Sequence, residues 1–166
     1  MPSVNETRPA LDDVSLALDG LNNAIIEHTK WVAAWSRSAV CGTKFSNEYL
    51  STDSVKQSTF HQWFFSQHHD FLRENNEFTT LERRHNAMHK CVQNIAAKLN
   101  AGETLDTSEF NKFLRNEGLF ATSLAKTRDA LLRLSHSYDF LTGTMNRQAC
   151  FQLLSQEHAR VKRTSE

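Results

Sequence analysis

LDDVSLALDGLNNAIIEHTKWVAAWSRSAV, residues 11–40, is the stretch from which the fold is read. Its apolar residues Leu11, Val14, Leu18, Leu21, Ile25, Val32, Trp35 and Ala39 follow one another mostly in steps of three and four. With 3.6 residues to a turn, that spacing gathers them on one face of an α-helix. The one gap in the series falls at His28, so the spacing predicts a helix over 11–40 that turns an imidazole inward. Further along, Phe60, Trp63, Phe64, Gln67 and Phe71 give a shorter stripe, opened by Ser58 as an N-cap. Phe78, Leu81, His85, Met88, Val92, Ile95 and Leu99 repeat the first pattern, with His89 one turn beyond His85 on the same face. Gly102 reads as the C-cap of that helix, and Asp106 with Glu109 as a capping box. The helix so opened carries Phe110, Phe113, Phe120, Leu124, Leu131 and Leu134. Residues 41–57, rich in Ser and Thr and without apolar period, read as a connecting loop. The expected fold is all-α: an antiparallel four-helix bundle over residues 8–137, its long last helix leading to a short C-terminal helix. A turn built on Gly143 and a helix from Arg147 to about Ala159 form a separate segment, residues 138–166.

Composition narrows the function classes. The 166 residues suit one domain, or one domain and part of a second. Lys+Arg and Asp+Glu balance at 19 each, which gives no net field to hold a phosphate backbone, so nucleic acid is not an expected partner. No segment approaches the roughly 20 apolar residues of a spanning helix, and residues 1–8 lack the apolar run of a signal peptide, so a cytoplasmic protein without membrane contact is expected. The 3 cysteines, Cys41, Cys91 and Cys150, form no CxxC pair and read as reduced thiols. Cys91, two residues beyond His89, is expected to face away from it. Trp31, Trp35 and Trp63 read as core or interface aromatics, and the adjacent His68 and His69 as solvent-facing residues.

The chemistry concentrates in the seam histidines. His28, His85 and His89 project toward one layer of the expected bundle, and three neutral imidazoles leave a fourth position for a thiolate, carboxylate or water at a zinc ion. The competing reading makes His85 and His89 a surface pair and His28 a hydrogen-bonded core residue.

In order and spacing, His28-Thr-Lys-Trp31, then Ser58-Thr-Phe60-His61-Gln-Trp63, then His85-Asn-Ala-Met-His89 resemble the chemoreceptor zinc-binding family. The resemblance covers about Leu18 to Leu134 and implies a four-helix module whose zinc is held by three histidines and a cysteine. Carried over residue by residue, it makes His28, His85 and His89 the expected ligands. Ser58 stands at the family's cysteine position and His61 at its glycine, which implies a weaker site, open to water or completed by another group such as His61. Asp139-Phe-Leu-Thr-Gly-Thr-Met-Asn-Arg147 is similar to the opening of GGDEF domains. Together the two segments resemble zinc-regulated diguanylate cyclases, which condense GTP into cyclic di-GMP as homodimers.

The resemblance therefore implies a regulatory zinc-sensing and dimerisation domain of a bacterial cyclase, with zinc inhibiting synthesis. No Gly-Gly-Asp/Glu-Glu-Phe run occurs in these residues, so the chain as given is not expected to be an enzyme, and GTP concerns it only through a cyclase domain. One alternative is a metal-free dimerisation scaffold whose site is lost through Ser58. Another is a hemerythrin-like di-iron bundle, which needs paired ExxH motifs where only Glu82-x-x-His85 is present.

Overall fold

The computed structural model describes residues 9–66, 71–73, 76–138 and 144–164. Among these, the elements are α1 (Leu11–Cys41), α2 (Asn47–Leu50), α3 (Ser54–Gln57), α4 (Thr59–Phe64), α5 (Asn76–Asn100), α6 (Thr107–Ser135) and α7 (Arg147–Thr164). The chain is all-α, its described β-pairing being an isolated bridge between Tyr138 and Met145. No described helix is long and apolar enough to cross a membrane.

The helix ends follow from local chemistry. Asp12 and Asp13 occupy the first turn of α1, where exposed N–H groups favour negative charge. Gly42, at φ +65°, closes α1 in the left-handed conformation that glycine adopts without a Cβ clash. Asp106 accepts from the Ser108 N–H at 2.8 Å, and the Glu109 carboxylate accepts from the Asp106 N–H at 3.3 Å, the capping box expected at the start of α6. Cross-helix pairs then fix direction. Lys98 pairs with Glu109 at 2.8 Å, Asn116 donates to the Cys91 sulfur at 3.3 Å, and Arg84 bonds Ser123. As α5 descends in number α6 ascends, so the two run antiparallel. Trp35 with Phe113 and His28 with Phe120 set the same relation between α1 and α6.

The face that α1 buries differs from the expected one. Val14, Ala17, Leu21, Ala24 and Trp35 are buried, whereas Leu18 and Ile25 are only partly covered. The reason lies across the interface. The Trp63 indole of α4 donates to the Ala17 carbonyl at 3.0 Å, which requires small residues beneath it. A Cβ on Gly20 would stand 2.6 Å from Trp63 Cδ1. Gly118 of α6, by contrast, has nothing within 4 Å of such a Cβ. Alanine gains about 1 kcal/mol over glycine inside a helix, so the two sites should respond with opposite sign. Gly118→Ala is expected to stabilise by about 0.5–1 kcal/mol, and Gly20→Ala to destabilise by about 1–3 kcal/mol through overpacking. Urea midpoints of the two variants measure both, and equal shifts would refute the close approach of Trp63 to α1.

Three expectations are corrected here. Residues 41–57 are not a plain loop: they hold α2 and α3, and the Asn100 side chain exchanges hydrogen bonds with the Phe45 backbone at 2.8 and 3.0 Å. Four-residue helices carry too little sequence for a period to show, and Phe45 and Tyr49 anchor them by burial. The stripe opened by Ser58 stays helical only to Phe64, because Phe65 leaves the helical region at φ −95°, ψ 4°. Phe71 lies beyond that end, and Gln67, His68 and His69 fall outside the described residues. The last helix runs to Thr164, past Ala159, and Gly143 with the rest of 139–143 also lies outside. The Asn146 N–H donates to the Ser137 carbonyl at 2.9 Å.

Candidate metal centre

Ser58 ends the α3 turn in an extended conformation and caps α4, its hydroxyl accepting from the His61 N–H at 3.1 Å. The same hydroxyl donates to the Val55 carbonyl at 2.8 Å. Its oxygen also stands 3.4 Å from His85 Nε2 on α5. His85 and His89, one helical turn apart, are both buried, and their rings meet edge to face at 4.3 Å. The surface-pair reading is therefore wrong. Both occupy the continuous apolar face of α5 between Leu81 and Val92, a face that α1, α4 and α6 cover.

His28, Ser58, His85 and His89 line one cavity of about 380 Å³. Trp31, Tyr49 and Phe60 supply aromatic wall. Trp31 lies 4.4 Å from the His89 ring and 5.4 Å from the Tyr49 ring. Phe120 of α6 presents its edge to His28 at 5.0 Å and sits 5.1 Å from His85. The structure thus brings together all four residues singled out in the sequence. It does not bring His61 among them, since that ring packs on Phe65 at 4.4 Å and is not part of the cavity wall. Cys91 faces α6 through Asn116, while Cys41 and Cys150 are exposed free thiols. Trp35 and Trp63 are core residues, as read from their spacing.

Electrostatics sets the state of the imidazoles. Burial lowers the pKa of His85 to about 2, with repulsion from His89, His28 and His61 adding to it. Burial, followed by repulsion from His28, lowers that of His89 to about 4. His28 is lowered too, because desolvation outweighs the attraction of Glu117. All three are neutral at pH 7, the state in which imidazole donates a lone pair to a metal. His28 Nε2, His85 Nδ1 and His89 Nδ1 are buried without a hydrogen-bond partner. Buried polar atoms are nearly always satisfied, so each of the three carries an unmet hydrogen-bonding atom, that of His28 lying on the side of Glu117.

The donor chemistry fits zinc, which takes neutral imidazole readily. The arrangement itself is not a finished coordination sphere. Among the described residues no three His, Cys, Asp or Glu side chains are grouped so as to hold one ion. Nucleophilic chemistry fits less well, even though Ser58 and His85 are adjacent. The hydroxyl proton is engaged by Val55, and an imidazole with a pKa of about 2 is too weak a base to remove it.

The pattern reading overlooked Tyr49, which sits in the presumed loop, and Glu117, which faces His28 from α6. A lone tyrosine in a non-periodic segment gives no signal. The signal for Glu117 was available: it lies one turn before Phe120 on a helix expected to face the histidine seam. Comparison with family models, with curated proteins and with solved structures gives no match.

Proposed function

We propose that this chain is a zinc-sensing regulatory and dimerisation domain, built as a four-helix bundle of α1, α4, α5 and α6, that governs a diguanylate cyclase. The supporting observation is the convergence of His28, Ser58, His85 and His89 on one cavity, with three neutral imidazoles each keeping a buried, partnerless nitrogen. Such a set is costly in an apolar interior, where an unsatisfied polar group loses about 1–3 kcal/mol. A ligand-binding role accounts for its retention.

His28, His85 and His89 would hold the ion, with Ser58 or water at the remaining position. Zinc, when bound there, would cross-link α1 to α5 and favour whichever helix arrangement binds it better. The chain's own part is to keep the imidazoles neutral, exclude bulk water with Trp31, Phe60 and Phe120, and carry any shift along α6 to residues 138–146. The cyclase assignment rests on the similarity of residues 139–147 to a GGDEF opening, of which 144–147 are described. Joined to a GGDEF domain, the homodimer should make less cyclic di-GMP with zinc than with chelator.

A second reading has its own support. Ser58 is fully employed without metal: it donates to Val55, accepts from His61, and can accept an N–H from His85 Nε2. That suits a metal-free dimerisation scaffold. Elemental analysis of protein purified without a metal-binding tag separates the two. Near-stoichiometric zinc is the expected result, and protein without zinc whose melting ignores both zinc and chelator would leave only the scaffold.

A further inference from the structure

Every wall of the cavity comes from the chain between Ala24 and His89, yet a charged residue of α6 reaches the site from behind. Glu117 Oε1 stands 3.6 Å from His28 Nε2, with the histidine side chain 9% exposed and the glutamate 29%. The same Nε2 is buried and has no hydrogen-bond partner, the carboxylate lying just past hydrogen-bond reach. Phe120 covers the ring edge-on, and Trp31 lies stacked 6.2 Å away.

A neutral imidazole has one proton to place on two nitrogens, and its surroundings decide where. On Nδ1, the proton would leave a buried Nε2 lone pair facing a carboxylate, two acceptors opposed in low dielectric. On Nε2, the same proton points at Glu117, and a few tenths of an ångström complete a charge-assisted hydrogen bond. The second arrangement is favoured. We infer that Glu117 is a positioning residue: it holds His28 as the Nε2–H tautomer and leaves Nδ1 as the nitrogen that serves a metal in the cavity. The assignment of the metal rests on the zinc reading above, whereas the tautomer stands without it. The contact also adds a polar grip of α6 on the site to the packing of Phe120 against His28 and His85.

Carboxylates behind a ligating histidine typically change metal affinity by about 10–100-fold. The experiment uses the whole chain with ¹⁵N-labelled histidine, first in chelator and then in a zinc competition titration. In chelator, two-bond ¹⁵N–¹H correlations should show His28 as the Nε2–H tautomer. Glu117→Leu should lose that preference and bind zinc about 10–100-fold more weakly. Glu117→Gln, whose amide oxygen accepts the same bond, should keep the tautomer and recover part of the affinity. Asp129→Asn, an exposed change on the same helix, should alter neither. An Nδ1–H tautomer in the parent, or an unchanged tautomer in Glu117→Leu, overturns the inference, as does unchanged zinc affinity in that variant. A parent that binds no zinc but shows the Nε2–H tautomer overturns the zinc reading and upholds the Glu117 pairing.

Discussion

Ser58→Cys is expected to tighten zinc binding by at least about 100-fold, the upper end of what a change behind a ligand achieves, because it alters a ligand itself. The geometry puts the new sulfur where it is needed: Ser58 Oγ lies on the cavity wall, 3.4 Å from His85 Nε2. A thiolate is a far better zinc donor than an alcohol, which at pH 7 keeps its proton. The same change removes an N-cap, since Ser58 Oγ accepts the His61 N–H that a thiol serves poorly. In chelator the variant should therefore lose about 0.5–2 kcal/mol. In excess zinc the sign reverses, because a hundredfold tighter site adds about 2.7 kcal/mol to native-state stability. Thermal melts with and without zinc, together with chelator competition, measure both arms. Equal zinc affinity in parent and variant would remove Ser58 from the site.

That test bears on how much of the molecule is legible in sequence. The capping box at Asp106, the cap at Ser58 and the buried face of α5 were legible because each rests on chemistry local to a few residues or on a period sustained over many turns. The histidines were legible for the same reason, as polar interruptions of two apolar seams. The register of α1 was not, because the choice of Ala17 over Leu18 is made by the Trp63 indole of another element. Nor was the approach of Glu117 to His28, a pairing of residues 89 positions apart that exists only once α1 and α6 are packed. Segments 41–57 show the converse limit: two single-turn helices are held by Phe45, Tyr49 and the Asn100 amide, with no pattern of their own.

The metal-free protein should lose stability steeply as pH falls below about 6.5, where an unfolded histidine takes up a proton. His85 and His89 resist protonation in the native state, to about 2 and about 4, because burial disfavours the cation. Below 6.5 the unfolded state then binds more protons than the native one, so stability rises with pH and is fully present only above that value. Each such histidine contributes up to about 1.4 kcal/mol per pH unit, or about 2.7 for the two together, between pH 6.5 and 4. Below 4 the contribution of His89 ends while that of His85 continues. Against a typical stability of about 5–15 kcal/mol, the loss over that window is enough to unfold the domain or force the site open. His85→Leu isolates the cause. It removes one of the buried protonation sites and a buried nitrogen without a partner, while Ser58 keeps its bonds to Val55 and His61. In chelator the variant should be at least as stable as the parent at pH 7, by about 1–3 kcal/mol if the orphaned nitrogen carries its full cost. Its acid limb should be shallower by up to about 1.4 kcal/mol per pH unit between pH 6.5 and 4, and zinc should no longer raise its melting temperature. Urea midpoints at pH 7, 6 and 5 decide the matter. Parallel acid limbs in parent and variant would place the pH dependence elsewhere, whereas a more stable, less pH-sensitive and zinc-blind variant would mean that this interior keeps its histidines for binding, at the expense of stability.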